Sequence, residues 1–197
     1  EKYQDTIEHV IKKGNTPAGM HISIMVQEIL DTLKIQPGET GFDATLGYGG
    51  HTKAMLACLN GQGHIYATDV DPEESAKTKK RLEELGYGED ILTIRLQNFC
   101  TIDEIAKEVG GFDFILADLG VSSMQIDNRK RGFSFKVDGP LDLRLNQEAG
   151  ISAAERLDTI TREELAGMLY ENSDEPYCKE LAKAITDEIR KGRSEEH

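Results

Sequence analysis

The chain has 197 residues, a formal net charge of −13 and three cysteines without CxxC spacing. A chain of this length can bury a core unaided, so we expect no disulfide framework and no zinc or other metal site. The negative charge argues against nucleic-acid binding over a broad surface and leaves only a local basic patch for it. No apolar run approaches the ~20 residues of a membrane helix. Since we also find no signal peptide, we expect a cytoplasmic protein that does not bind membranes.

Helices are predicted for the first segments of the chain. Residues 1–14 are polar with a few apolar positions on one side, and a break at residues 15–19 follows them. Ser23 is then predicted to be the N-cap of a second helix, because apolar residues from Ile24 to Leu33 recur at helical spacing. A Gln-Pro-Gly turn ends this region.

Four short apolar runs then alternate with helical segments, a pattern that predicts βαβ units and a parallel sheet. Right-handed crossovers and a Rossmann-like arrangement give the strand order 3-2-1-4, with a ligand at the carboxyl ends of strands 1 and 4. Beyond Leu145 the strand pattern stops, and three helices are predicted. The predicted strands are residues 41–46, 64–70, 91–96 and 112–119, and the predicted helices are 51–59, 72–85, 101–109 (capped by Thr101), 152–160, 161–170 and 176–190.

A glycine-rich loop, DATLGYGG at residues 43–50, follows the first predicted strand. Its glycines permit positive φ and close ligand approach, but Thr52 replaces the third glycine of a dinucleotide fingerprint, which disfavours NAD. Asp69 ends the second predicted strand and is expected to bind the ribose of an adenosine cofactor. Asp71 is the better N-cap for the helix that begins at Pro72. S-adenosylmethionine (SAM) suits this loop better than NAD, because SAM has no pyrophosphate.

Residues 117–144 form a long irregular segment, which is unusual in a compact domain and typically functional. Within it, the basic residues 129–131 either contact phosphate or form a solvated surface. Phe133 and Phe135 either offer stacking faces to a base or form a small core that fixes the loop. Two interpretations also stay open for His51, near the glycine loop. It either contacts the methionine end of SAM or packs beneath the loop.

Six motifs in order, from His21 to Arg144, resemble the bacterial small-subunit (16S) ribosomal RNA cytosine-N4-methyltransferase family. They are HISIMVQEIL, DATLGYGGHT, ATDVDP, NF, ADLGVSSMQID and RGFSFKVDGPLDLR. The last string is the most specific of the six. The helical SAAERL and CKELAKAITDEIRKGR also resemble the next segments of the family, so the likeness covers nearly everything after residue 20.

The resemblance implies an α/β fold, with a Rossmann-like class I SAM-dependent methyltransferase core and an appended helical domain. We expect N-terminal helices in residues 1–38, the SAM-binding core in 39–145 and a helical substrate-side segment in 146–197. The implied substrate is the N4 amine of a cytidine in ribosomal RNA of the small subunit, and both a monomer and a homodimer stay open. The family's SAM-binding positions match Gly49, Gly50, His51, Asp69, Phe99, Asp118 and Gln125.

Asp118, at the end of the fourth predicted strand, is the candidate catalytic residue. The exocyclic amine of cytosine is a poor nucleophile, so an acceptor that binds the amine and takes its proton would assist methyl transfer. The alternative is that Asp118 binds only the ammonium group of the cofactor. The candidate substrate-binding residues are Arg131, Phe133 and Phe135.

The sequence also departs from the family pattern. Tyr48 stands where the family usually has Arg in the glycine loop, and Val70 replaces the usual Arg between two aspartates. Family members continue beyond the position of Arg193, so we expect either a piece of a longer protein or a shortened paralogue. Two other functions therefore stay open: a small-molecule methyltransferase, and a SAM-binding paralogue without catalysis.

Overall fold

The computed structural model describes residues 23–192, so the helix predicted for residues 1–14 lies outside the described residues. The chain divides into two compact units, with the division between Leu119 and Gly120. The first unit contains a β-sheet with helices, and the second is helical. The domain limits predicted at residues 38 and 145 stay predictions.

The first unit contains a parallel four-stranded sheet with the order β3-β2-β1-β4, which confirms the predicted α/β class and strand order. β1 pairs with β2 on one side and with β4 on the other, so that Gly41 lies opposite both Ile65 and Phe114. All four carboxyl ends therefore lie at one edge, where ligands bind in folds of this kind. The strands are β1 (Thr40–Asp43), β2 (His64–Asp69), β3 (Leu92–Leu96) and β4 (Phe114–Leu116).

Helices cover both faces of this sheet. They are α1 (Val26–Leu33), α2 (Gly50–Leu59), α3 (Pro72–Glu84) and α4 (Ile102–Val109). Side chains alternate between the two faces along each strand. In β2, Ile65 and Ala67 lie in a buried cluster with residues of α2 and α3, whereas Tyr66 packs against a second cluster that contains Phe42 and Ile105 of α4. Burial of apolar surface on both faces stabilises the sheet by roughly 25 cal/mol per Å².

One predicted helix cap, Ser23, is wrong, and the other, Thr101, has the predicted position but not the capping hydrogen bond. The N-cap of α1 is Met25, which has a left-handed φ of 52°, and no side chain caps this helix. Ser23 lies instead against the backbone of Gly50, where an added Cβ would come within 2.1 Å of the serine hydroxyl. Thr101 occupies the N-cap position of α4, but its hydroxyl donates to the Asn98 carbonyl at 2.8 Å and does not cap the helix. Both side chains therefore serve other contacts.

The second unit is helical beyond Leu145, as predicted. Three of its helices begin with capping boxes, in which a Ser or Thr hydroxyl and a Gln or Glu three residues later satisfy backbone N–H groups. Ile160, Leu165 and Ala182 form its buried cluster. None of the described helices in either unit has the length and apolar character that a membrane crossing requires. The helices are α5 (Ser123–Asp127), α6 (Ala153–Thr159), α7 (Arg162–Ser173) and α8 (Cys178–Arg190), with a 3₁₀ turn at Arg129–Arg131.

Candidate functional site

The glycine-rich loop connects β1 to α2 at the carboxyl edge of the sheet. Gly47 has a φ of 48° and Gly49 a φ of 82°, so both adopt the left-handed conformation that the sequence pattern predicts. Gly49 also lies against α3, where an added Cβ would come within 2.6 Å of the Thr78 methyl group. Position 49 therefore requires glycine both for its backbone conformation and for space.

Asp69 lies at the end of β2 and faces the glycine loop. Its Oδ2 accepts a hydrogen bond from the Gly47 N–H at 2.7 Å, and its Oδ1 accepts one from the Asp71 N–H at 2.9 Å. Asp71 caps α3 by accepting from the N–H groups of Glu73 and Glu74, both at 3.1 Å. The structure thus confirms Asp71 as the cap. Each carboxylate oxygen of Asp69 can accept a further hydrogen bond, which a ribose hydroxyl can donate.

His51 is buried in the first turn of α2, with 8% of its surface exposed. Its Nε2 lies 3.4 Å from Oδ2 of Asp118. Within residues 23–192, neither ring nitrogen of His51 has a hydrogen-bond partner. A buried polar atom without a partner costs free energy. The two nitrogens are therefore candidates for binding a polar group of a ligand.

Asp118 follows β4 and is held through its backbone. Its N–H donates to the Thr45 hydroxyl at 2.8 Å, which ties the residue to the start of the glycine loop. Its carboxylate stays accessible, with 48% of the side chain exposed. A fixed backbone combined with an accessible carboxylate suits a group that must meet a substrate.

Asp43, the last residue of β1, is a functional candidate that sequence reasoning missed. It is 1% exposed, and its carboxylate accepts hydrogen bonds from the Thr52 hydroxyl and the Thr45 N–H. Burial raises the pKa of Asp43, while the two hydrogen bonds and nearby His51 act in the opposite direction. An acidic residue at the end of a buried strand, directly before a glycine-rich loop, is the signal by which it could have been found.

We expect Asp43→Asn to change how the free energy of unfolding depends on pH. The folded-state pKa of Asp43 is raised above its ordinary value of 3.8. The stabilisation that the Asp43 carboxyl group contributes is therefore fully present at pH values below 3.8. It is lost as pH rises through the folded-state pKa. Asn keeps the size of the side chain but does not titrate. Urea unfolding across this pH window should show the variant gaining stability relative to the wild type as pH rises, and a constant difference would contradict the assignment.

Phe99 follows β3 at the same edge and begins a 3₁₀ turn. The turn is fixed by the side chain of Asn98, which accepts a hydrogen bond from the Cys100 N–H at 2.9 Å. The Phe99 side chain is partly exposed and thus available to a ligand. Six of the seven predicted cofactor positions therefore lie at or just beyond the carboxyl edge of the sheet, namely Gly49, Gly50, His51, Asp69, Phe99 and Asp118.

The other predicted site residues belong to the second unit. Gln125 is buried, and its side-chain oxygen accepts a backbone N–H in the capping box of α5. Arg131 is also buried and donates to the Leu145 carbonyl at 2.7 Å. Phe133 is partly buried, whereas Phe135 is 95% exposed. Their roles in binding cofactor or substrate stay predictions.

Residues 18–196 match the model of the MraW methylase family. The chain belongs to this family. Ribosomal RNA small subunit methyltransferase H 1 of Agathobacter rectalis is 85% identical over 192 residues, which make up 98% of this chain and 55% of the relative. The protein of the same name from Lachnoclostridium phytofermentans is 68% identical, with coverages of 98% and 52%.

A more distant relative, ribosomal RNA small subunit methyltransferase H of Acinetobacter baumannii, is 39% identical over 169 residues. The match covers 84% of this chain and 53% of the relative. The family resemblance carried by the motifs is thereby confirmed. The chain spans about half the length of the curated relatives it matches.

Proposed function

We propose that the chain carries the cofactor-binding region of a SAM-dependent methyltransferase that modifies the N4 amine of a cytidine in small-subunit ribosomal RNA. The observation that carries the proposal is the group of Asp69, His51 and Asp118 at the carboxyl edge, each with polar atoms that can serve a ligand. The names of the relatives support the reaction and the RNA substrate. We further propose that the protein is cytoplasmic and acts on the small ribosomal subunit.

The residues at the carboxyl edge fit SAM. Asp69 would accept hydrogen bonds from the ribose hydroxyls, and the partly exposed Phe99 would pack against the adenine. His51 provides the strictest test of the fit, because its buried ring nitrogens lack partners in the described part of the chain. The carboxylate or ammonium group of SAM would satisfy one of them. Asp118 would lie between the methionine portion and the reacting centre.

The chain's own contribution to the reaction is to place the amine and to handle its proton. When bound, SAM supplies an electrophilic methyl group. Asp118 would accept a hydrogen bond from the cytosine amine, which favours the nucleophilic form of the nitrogen, and would then take the proton. Because the Thr45 hydroxyl fixes the Asp118 backbone at 2.8 Å, the carboxylate needs little reorganisation.

The second unit offers the surface that we propose for RNA. Residues 129–130 and Lys136 are exposed cations, and Phe135, which precedes Lys136 in the sequence, is 95% exposed. The net charge of the chain is −13. Exposed cations neutralise phosphates, and an exposed aromatic ring can stack on a base. Arg131 and Phe133 are more buried, so we propose that they contribute to substrate binding by supporting this loop.

The experiment that tests this function is methyl incorporation into isolated small ribosomal subunits that lack the modification. The full-length protein containing this chain should transfer labelled methyl from SAM to a cytidine N4. Incorporation into RNA supports the proposal. Activity on metabolites alone would instead indicate a small-molecule methyltransferase, and SAM binding without any turnover would indicate a non-catalytic paralogue. Either of these results would overturn the proposed function.

The RNA side of the proposal is tested with Phe135→Ala. Loss of one stacking contact should lower incorporation about ten-fold, while SAM affinity, measured by calorimetry, stays unchanged. Tyr170→Ala is the matched control, because Tyr170 is another exposed aromatic residue of the second unit. If the two variants lower incorporation equally, Phe135 is not part of the substrate-binding surface.

A further inference from the structure

One face of α3 holds the glycine loop through its backbone. Thr78 donates from its hydroxyl to the Gly47 carbonyl at 2.6 Å. Gly49 lies directly against the Thr78 methyl group and the Leu82 side chain. Contacts from two adjacent turns of α3 thus fix a loop whose glycines would otherwise sample many backbone conformations.

Arg81 completes this contact from the same face. Its guanidinium carbon lies 3.8 Å from the centre of the Tyr48 ring, a cation–π distance. Its Nη2 donates both to the Tyr48 carbonyl at 3.2 Å and to the Thr78 hydroxyl. A chain of hydrogen bonds therefore runs from Arg81 through Thr78 to the Gly47 carbonyl, while a second bond fixes the next peptide group.

We propose that Arg81 and Tyr48 form a clamp that pre-organises the glycine loop for its cofactor, with Arg81 as a positioning residue. The proposal rests on the proposed function, because it takes SAM as the ligand of the loop. A loop held in its binding conformation before the ligand arrives loses less entropy on binding. The clamp also gives a role to Tyr48, the glycine-loop position at which this sequence departs from the family pattern.

The burial of Arg81 favours positioning over simple stabilisation. Its Nε is buried and has no hydrogen-bond partner among residues 23–192. An unsatisfied buried donor lowers the stability of the fold. A residue that served stability alone would be expected to have this donor satisfied. A residue that orients the Tyr48 carbonyl directly, and the Gly47 carbonyl through Thr78, needs only its Nη2 and its planar face.

The test compares Arg81→Met and Tyr48→Leu with the control Lys80→Met, which removes the neighbouring charge from an exposed position of α3. Arg81→Met should weaken SAM binding about ten-fold by calorimetry, and Lys80→Met should leave it unchanged. Tyr48→Leu should weaken binding less, because it keeps the carbonyl contact. The double variant should bind no more than about two-fold more weakly than Arg81→Met alone.

Two further readouts separate positioning from loss of fold. Amide hydrogen exchange at positions 48 and 49 should accelerate in ligand-free Arg81→Met, with exchange in β2 unchanged. In the full-length enzyme the KM for SAM should rise while kcat at saturating SAM stays constant. Unchanged SAM affinity in both Arg81→Met and Tyr48→Leu would overturn the clamp alone. Failure of the wild type to bind SAM would overturn the proposed function and the clamp with it.

Discussion

Asp69→Ala should weaken SAM binding by about 100-fold or more. The carboxylate would lose two hydrogen bonds from the ribose, and bonds to a charged acceptor contribute roughly 1.5–3 kcal/mol each, where each 1.4 kcal/mol changes Kd about ten-fold. The substitution also removes the 2.7 Å bond from the Gly47 N–H, which joins the glycine loop to β2. The first loss acts on the bound state, and the second also loosens the loop before SAM binds, so titration calorimetry with SAM measures their combined effect on affinity.

The control for Asp69→Ala is Asp103→Asn. Asp103 is an exposed carboxylate of the same unit that pairs with Lys107 at 2.8 Å, so its replacement also removes one negative charge. SAM affinity should change by less than about two-fold in this control, since exposed ion pairs contribute little. The Asp69→Ala variant contradicts the prediction if it stays folded and its Kd for SAM is within five-fold of the wild-type value, a difference of about 1 kcal/mol in binding free energy. That result would show that the carboxylate does not hold the ribose.

The arrangement of the sheet could be predicted because it depends on features that are local in sequence. Apolar runs alternate with helical segments, and right-handed crossovers then leave one Rossmann-like order, which is the order found. The length of β4 could not be predicted in this way. β4 ends at Leu116 because its partner residue on β1 is Asp43, the last residue of that strand. Strand ends thus follow from pairing between distant segments rather than from the local pattern.

The prediction of site residues from sequence has the same limit as the prediction of strand ends. The position of Asp69 at the end of a strand beside the glycine loop could be predicted. Asp43 was missed because a carboxylate that is 1% exposed contradicts the usual position of acidic residues. The bond from the Asp118 N–H to Thr45 spans 73 residues of sequence, and only the folded sheet brings its two partners together. For Phe135, the sequence left open a local core or an exposed stacking face, and the structure places the ring in solvent.

Asp118→Asn should lower kcat about 10²–10⁴-fold, the range typical of a lost general base. Asn keeps the size of the side chain, and the backbone stays bonded to the Thr45 hydroxyl, so the geometry of the site is retained. What is lost is the ability to take a proton from the amine. The Kd for SAM should therefore change by less than about three-fold, which is under 1 kcal/mol of binding free energy. Calorimetry measures this Kd, and single-turnover experiments measure the rate of methyl transfer.

The same variant decides between the two roles considered for Asp118. A carboxylate that only binds the ammonium group of SAM would give a raised Kd and a kcat that recovers at saturating cofactor. A base gives the opposite result, namely an unchanged Kd and a kcat that stays low at saturating cofactor. Because His51 Nε2 lies 3.4 Å from the same carboxylate, His51→Gln provides a second comparison. If His51 serves the cofactor and Asp118 the proton, His51→Gln raises the Kd for SAM, and kcat at saturating SAM stays near the wild-type value.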